Sequence, residues 1–145
     1  MRLNPVNFPR AETEGYFETS PQSRFYNCIA WAAGDNTRPW WPNSQMAHWP
    51  KDVPSKVTVY AFLCLFRSLD YENCQNGSLE KGFEKVAIYA LNNVVKHAAI
   101  QLSNGHWSSK IGIDNIDVEH VTLEALEGPQ YGKVVRFLRR PIKKS

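Results

Sequence analysis

The chain has 145 residues, enough for one domain with a real core and too few for two. Its 43% hydrophobic and 21% charged residues are those of an ordinary soluble globular protein, which excludes a fibrous, disordered or membrane-spanning class. The net charge of +3 is too mild to mark an acidic surface or a nucleic acid as its partner.

Residues 1–20 carry Pro5 and Pro9 and show no periodicity, so an extended arm is expected, lying on a single domain over 21–140. The first 17 residues hold no apolar core of the signal-peptide kind, and no run approaches the roughly 20 apolar residues of a membrane span. A protein that is cytoplasmic as synthesised is expected, with any export left to a specialised system.

From Tyr26 to Ala33 apolar and small residues suit a helix, with Asn27 as N-cap and Gly34 as its stop. Cys28 then falls in the first turn. Residues 35–54, "DNTRPWWPNSQMAHWPKDVP", form a long aromatic loop, of a length that is usually functional in a compact domain. Ser55 can cap a second helix, Lys56 to Leu69, apolar on nearly every face and therefore buried; Cys64 reads there as a small core residue. "DYENCQNGSLEKG" is a polar connector holding Cys74.

The period then changes. Residues 85–91, 96–102 and 106–112 read as strands, joined by Asn92-Asn93 and Ser103-Asn104-Gly105. Residues 122–128 suit a short helix ended by Gly128, and 133–140 a last strand, before a basic tail over 141–145. The order implies an α+β domain, N-terminal helices packed on a small antiparallel sheet.

Three cysteines without a CxxC pair argue against a disulfide framework and a Cys-based zinc site, and for free thiols. No phosphate-binding glycine loop and no metal-spaced His pair is present, so neither cofactor nor metal is expected. Cys28 is the residue with two readings. An isolated Cys in an apolar helix is usually core. A nucleophilic Cys needs a helix N-terminus and a nearby imidazole to release its proton. Of His48, His97, His106 and His120, only His97 opens an apolar strand, "HAAIQL", from which it can reach a helix packed on the sheet.

These residues resemble the papain-like fold, most nearly its NlpC-like cell-wall peptidases. "YNCIAWA" is similar to their nucleophile motif "DCSGFV". "HAAIQLSNGHWSSK" is similar to their second motif, a His-led strand, a Gly turn and a polar residue twelve positions on, here Ser109. Most of that family has His at the twelfth position and some relatives Asn, Asp or Gln, so Ser109 is a departure. The chain also resembles, over most of residues 20–140, a group of short bacterial proteins sharing "YNCIAWA.GD", the WWP loop and "HAA.QL..G.W.SK.G", a group with no activity attached.

The resemblance implies a thiol hydrolase of the amidase or peptidase kind, with Cys28 as nucleophile, His97 as base and Ser109 orienting the base. His120 is the alternative for that orienting role. Gln22, six residues before Cys28, would donate to the oxyanion, a task Tyr26 or Asn27 could also fill. Trp40, Trp41 and Trp49 either line a substrate cleft or pin their loop. The implied partner is a peptide or peptidoglycan-like substrate, with an inhibitor or immunity protein left open, and neither nucleic acid nor membrane is expected. Two rivals stay open: a Gln deamidase or transglutaminase-type acyl transferase, and a catalytically inactive binding module on the same scaffold.

Overall fold

The computed structural model describes residues 3–20, 26–112 and 116–142. In chain order these carry α1 (Ala11–Glu14), β1 (Tyr16–Ser20), α2 (Cys28–Ala33), α3 (Val59–Ser68), β2 (Glu72–Cys74), β3 (Phe83–Leu91), β4 (Val94–Gln101), β5 (Trp107–Ile111), β6 (Ile116–His120), a 3-10 turn (Glu124–Leu126) and β7 (Lys133–Pro141). All paired strands run antiparallel, in one open sheet ordered β1-β6-β5-β4-β3-β7-β2. The domain is α+β. No helix among the described residues is long and apolar enough to cross a membrane.

The expected helix at Cys28 forms for the expected reasons. Asn27 is extended and its side chain accepts from the Ala30 N–H, while Gly34 ends the helix in the left-handed region at φ 87°. The second helix starts later than Ser55 would allow. Thr58 is extended, bridges to Val94, and caps the helix by accepting from the Ala61 N–H. Ser55 instead accepts from the Asn43 N–H.

The sheet is larger than expected. Three of its strands lie in segments that read as arm, connector and helix lead-in. Residues 16–20 pair with β6 as an edge strand, while the residues before them, with the short helix α1, lie on one face of the sheet. Glu72–Cys74 forms the opposite edge against β7. The helix expected over 122–128 shrinks to a single 3-10 turn.

Two apolar clusters cover the two faces. On one, Cys28, Ile29, Phe62, Leu65 and Phe66 of α2 and α3 pack on Val86, Ile88, Val95, Ala98 and Leu138. On the other, Leu3, Phe8 and Ala11, with Leu123, Leu126 and Tyr131, pack on Ala87, Tyr89, Ala99, Trp107 and Val118. Burial of this area is the main term holding the elements together, at about 25 cal/mol per Å² of apolar surface.

Candidate functional site

The backbone of β4 aims the key histidine. Side chains alternate along a strand, so Val95 and His97 should share a face. They do not. Tyr89 pairs with His97 but Ala90 pairs with Val95, which leaves Lys96 as an extra residue, a β-bulge. Val95 thus joins the α3 side, while His97 turns to the opposite face beside Tyr89.

Next to this bulge the sheet opens. β4 and β5 pair only at Ile100 with Ser108 and Gln101 with Trp107. Beyond that point side chains bridge the two strands. His97 Nε2 lies 2.9 Å from Ser109 Oγ. Extended, the register sets Ser109 opposite Ala99, so it meets His97 on the diagonal of the same face. Ser109 Oγ is also 2.8 Å from His120 Nε2, and His120 Nδ1 is 2.8 Å from the Thr122 carbonyl oxygen. Ser109 and His120, weighed as alternatives from the sequence, are consecutive members of one hydrogen-bond chain.

All three side chains are fully buried. Burial pushes the His97 imidazole well below its usual pKa, and nearby His120 adds to the fall. His120 is pushed down to about 4, again mainly by burial, against the Thr122 carbonyl, which raises it. Tyr131 lies flat on the His97 ring, with centroids 4.1 Å apart and planes at 4°. His97 Nδ1 is buried and has no hydrogen-bond partner.

Cys28 opens α2 on the other side of that gap and is only 7% exposed. Its sulfur is met by the backbone N–H of Ala98, the residue after His97, as well as by those of Ile29 and Cys28 itself. The expected sulfur–imidazole hydrogen bond is not made, since Nδ1 has no partner. Nor is the thiol lowered, as a helix start led one to expect. Burial pushes it up to about 11, outweighing the backbone donors of a six-residue helix. Both shifts favour the uncharged forms, a thiol and a neutral imidazole.

Other expected contributors are placed elsewhere. Gln22 lies outside the described residues. Asn27 is engaged by its cap and by both backbone groups of Trp40, and Tyr26 donates to Asp117 at 2.5 Å. Of the two readings of Trp40, Trp41 and Trp49, the packing is that of a pinned loop. Trp40 sets its edge against His48 and donates to Asp35, and Trp41 and Trp49 abut Phe62 edge to face. Their rings cover α3, the better use of so much apolar area. His106 is bound to Glu119 at 2.6 Å. Lys110, one residue beyond Ser109, faces α2, fully buried with its amine 4.4 Å from the Tyr26 ring centre. All three cysteines are free.

Sequence reasoning missed Tyr131, Thr122 and the bulge at Lys96. Tyr131 is carried to His97 by a hairpin closed by mutual backbone bonds between Gly128 and Gly132. The glycine spacing is the one signal of it in the sequence.

Residues 17–139 match the family described as a domain of unknown function, DUF7689. No curated protein and no solved structure matches the chain. The family match spans most of the sequence, and the chain belongs to this family.

Proposed function

We propose, from a family membership that brings no activity with it, that this chain is a papain-like thiol hydrolase acting on amide bonds. One observation carries the reading. His97 Nδ1 is a buried nitrogen without a partner, its other nitrogen is tied to Ser109, and the Cys28 thiol rests against the N–H of the very next residue. An orphaned buried acceptor costs about 1–3 kcal/mol, a penalty that folding alone has no reason to carry. A thiol that turns from the Ala98 N–H toward Nδ1 would satisfy it.

In the proposed cycle the Cys28 S–H proton passes to His97 Nδ1, and the sulfur attacks the substrate carbonyl carbon. The oxyanion is held by the Cys28 N–H and, by family resemblance, Gln22. As the C–N bond breaks, His97 returns the proton to the leaving amine. Water then attacks the thioester, giving one proton to His97 and, on release of the acid, restoring the thiol. The high thiol pKa means that the charged pair arises only when substrate is present. Peptidoglycan-like stem peptides are the substrate class the resemblance favours. An amine in place of water would make the same site a transglutaminase, and a Gln side chain as acyl donor a deamidase.

One observation favours the inactive module instead: the thiol is buried, its pKa is pushed up to about 11, and it makes no hydrogen bond to His97. Incubation with p-nitrophenyl acetate followed by mass spectrometry separates the two. The hydrolase reading expects one acetyl group on Cys28, formed at least about a hundredfold more slowly in His97→Ala. Acetylation of Cys64 or Cys74 without Cys28 rejects it.

A further inference from the structure

The hydrogen-bond chain behind His97 has a direction. It begins at the Thr122 carbonyl, which can only accept. His120 Nδ1 must therefore carry a hydrogen. His120 is fully buried, and its hydrogen-bond partners are a carbonyl and a hydroxyl, with no carboxylate bonded to the ring, so it is held neutral. Its Nε2 is then a bare acceptor, and the Ser109 hydroxyl spends its one proton on it. With that proton committed, Ser109 Oγ can only accept from His97, so His97 Nε2 carries the hydrogen.

We infer that His120 is a positioning residue which, through Ser109, locks His97 in the tautomer whose Nδ1 lone pair is free. This inference rests on the thiol-hydrolase reading for its purpose and on hydrogen-bond direction alone for its content. A lone serine is a weak orienting group, because its hydroxyl can rotate to donate or to accept. His120 removes that freedom. Ser109 with His120 behind it does what a single Asn or His does in a shorter arrangement. The buried Nδ1 without a partner is the far end of the chain. Tyr131, flat on the ring, blocks the rotation that would exchange the two nitrogens.

The test is nitrogen-15 NMR of the imidazole rings in the intact protein at pH 7, in wild type, His120→Leu and His120→Gln. The expected wild-type spectrum shows His97 protonated at Nε2 and His120 at Nδ1. His120→Leu frees the Ser109 hydroxyl, and His97 should then populate both tautomers. Gln keeps an acceptor facing Ser109 and should restore the wild-type state of His97. Wild-type His97 protonated at Nδ1, or charged, overturns the inference, and so does a folded His120→Leu whose His97 is unchanged. Should His120→Leu not fold, the wild-type tautomers of both rings decide the matter. The readout is independent of thiol chemistry. Loss of Cys28 acetylation with the tautomers as expected removes the hydrolase and leaves the relay; acetylation with the wrong tautomers does the reverse.

Discussion

On one face of β4, Val95 and Ala98 meet Cys28, Phe62 and Leu65; on the other, His97 meets Ser109, His120 and Tyr131. Both faces exclude water. The first does so along β4 with apolar side chains that need fit rather than hydrogen bonds. The second buries three polar side chains whose hydrogen bonds must all run in one sense. An apolar face tolerates exchange of similar volumes, whereas a directed chain fails at any member. The bulge at Lys96 is the device that separates the two.

The largest expected effect comes from the hairpin that closes the polar face. Gly132 has φ 75°, and a Cβ there would lie 2.1 Å from the Ala90 carbonyl oxygen. Gly132→Ala should cost more than about 4 kcal/mol, by backbone displacement rather than lost contact. A variant melting within a few degrees of wild type would show that the hairpin does not need this close approach.

Acid should break the polar face before the apolar one. An unfolded histidine takes up its proton near pH 6.5, but folded His120 waits until about 4. Between those values the unfolded chain binds more protons, so stability falls as pH falls, by about 3 kcal/mol for His120 alone. His97, also depressed, acts in the same direction. The carboxylates of Asp35, Glu80 and Glu119 are lowered by hydrogen bonds and lose their contribution only at more acidic pH. Urea midpoints at pH 7, 6 and 5 should therefore descend, above the range in which unfolded carboxylates take up protons; a flat profile down to pH 5 contradicts buried neutral histidines.

Two adjacent serines sharpen the contrast. Ser109→Ala strips His97 Nε2 of its acceptor and His120 Nε2 of its donor, and should cost about 2–3 kcal/mol. It should also slow turnover about tenfold. Ser108→Ala, one residue earlier on the apolar face, loses a single bond from Trp31 and should cost about 1 kcal/mol with turnover unchanged. Equal costs would erase the distinction between the faces. Smallest is Thr58→Ala, which removes the α3 cap on the apolar side for about 1 kcal/mol. Circular dichroism melts resolve it.

Much of this architecture is legible in the sequence. Asn27, Gly34 and the apolar runs of β3, β4 and β7 declare themselves, because local chemistry and burial agree there. So does the spacing from His97 to Ser109, since a tight turn fixes which residues share a face. β1 does not, because an edge strand buries little: Phe17 is 53% exposed. β2 is three residues long, too short for any period to show. In β6, Ile116, Val118 and His120 alternate with Asp117 and Glu119, a strand pattern, but one short enough to pass for the lead into a helix. The direction of the histidine chain is not readable at all. It depends on the Thr122 carbonyl, and backbone atoms carry no sequence signature.

The position of β1 bears on the order of assembly. Gly15 accepts from the Val121 N–H and Glu14 accepts from the Thr122 hydroxyl, 108 positions along the chain, while Tyr16 stands opposite His120. The segment whose carbonyl orients the histidines is thus clasped by residues made first and reached only near the end of synthesis. Closing so long a loop is slow, and it comes after the local hairpin of β3 and β4. A chain emerging from the ribosome would hold Cys28 in its helix and His97 in its hairpin well before the tautomer of His97 is set. On the proposed hydrolase reading, the thiol would gain its base only once the first and the sixth strands have met.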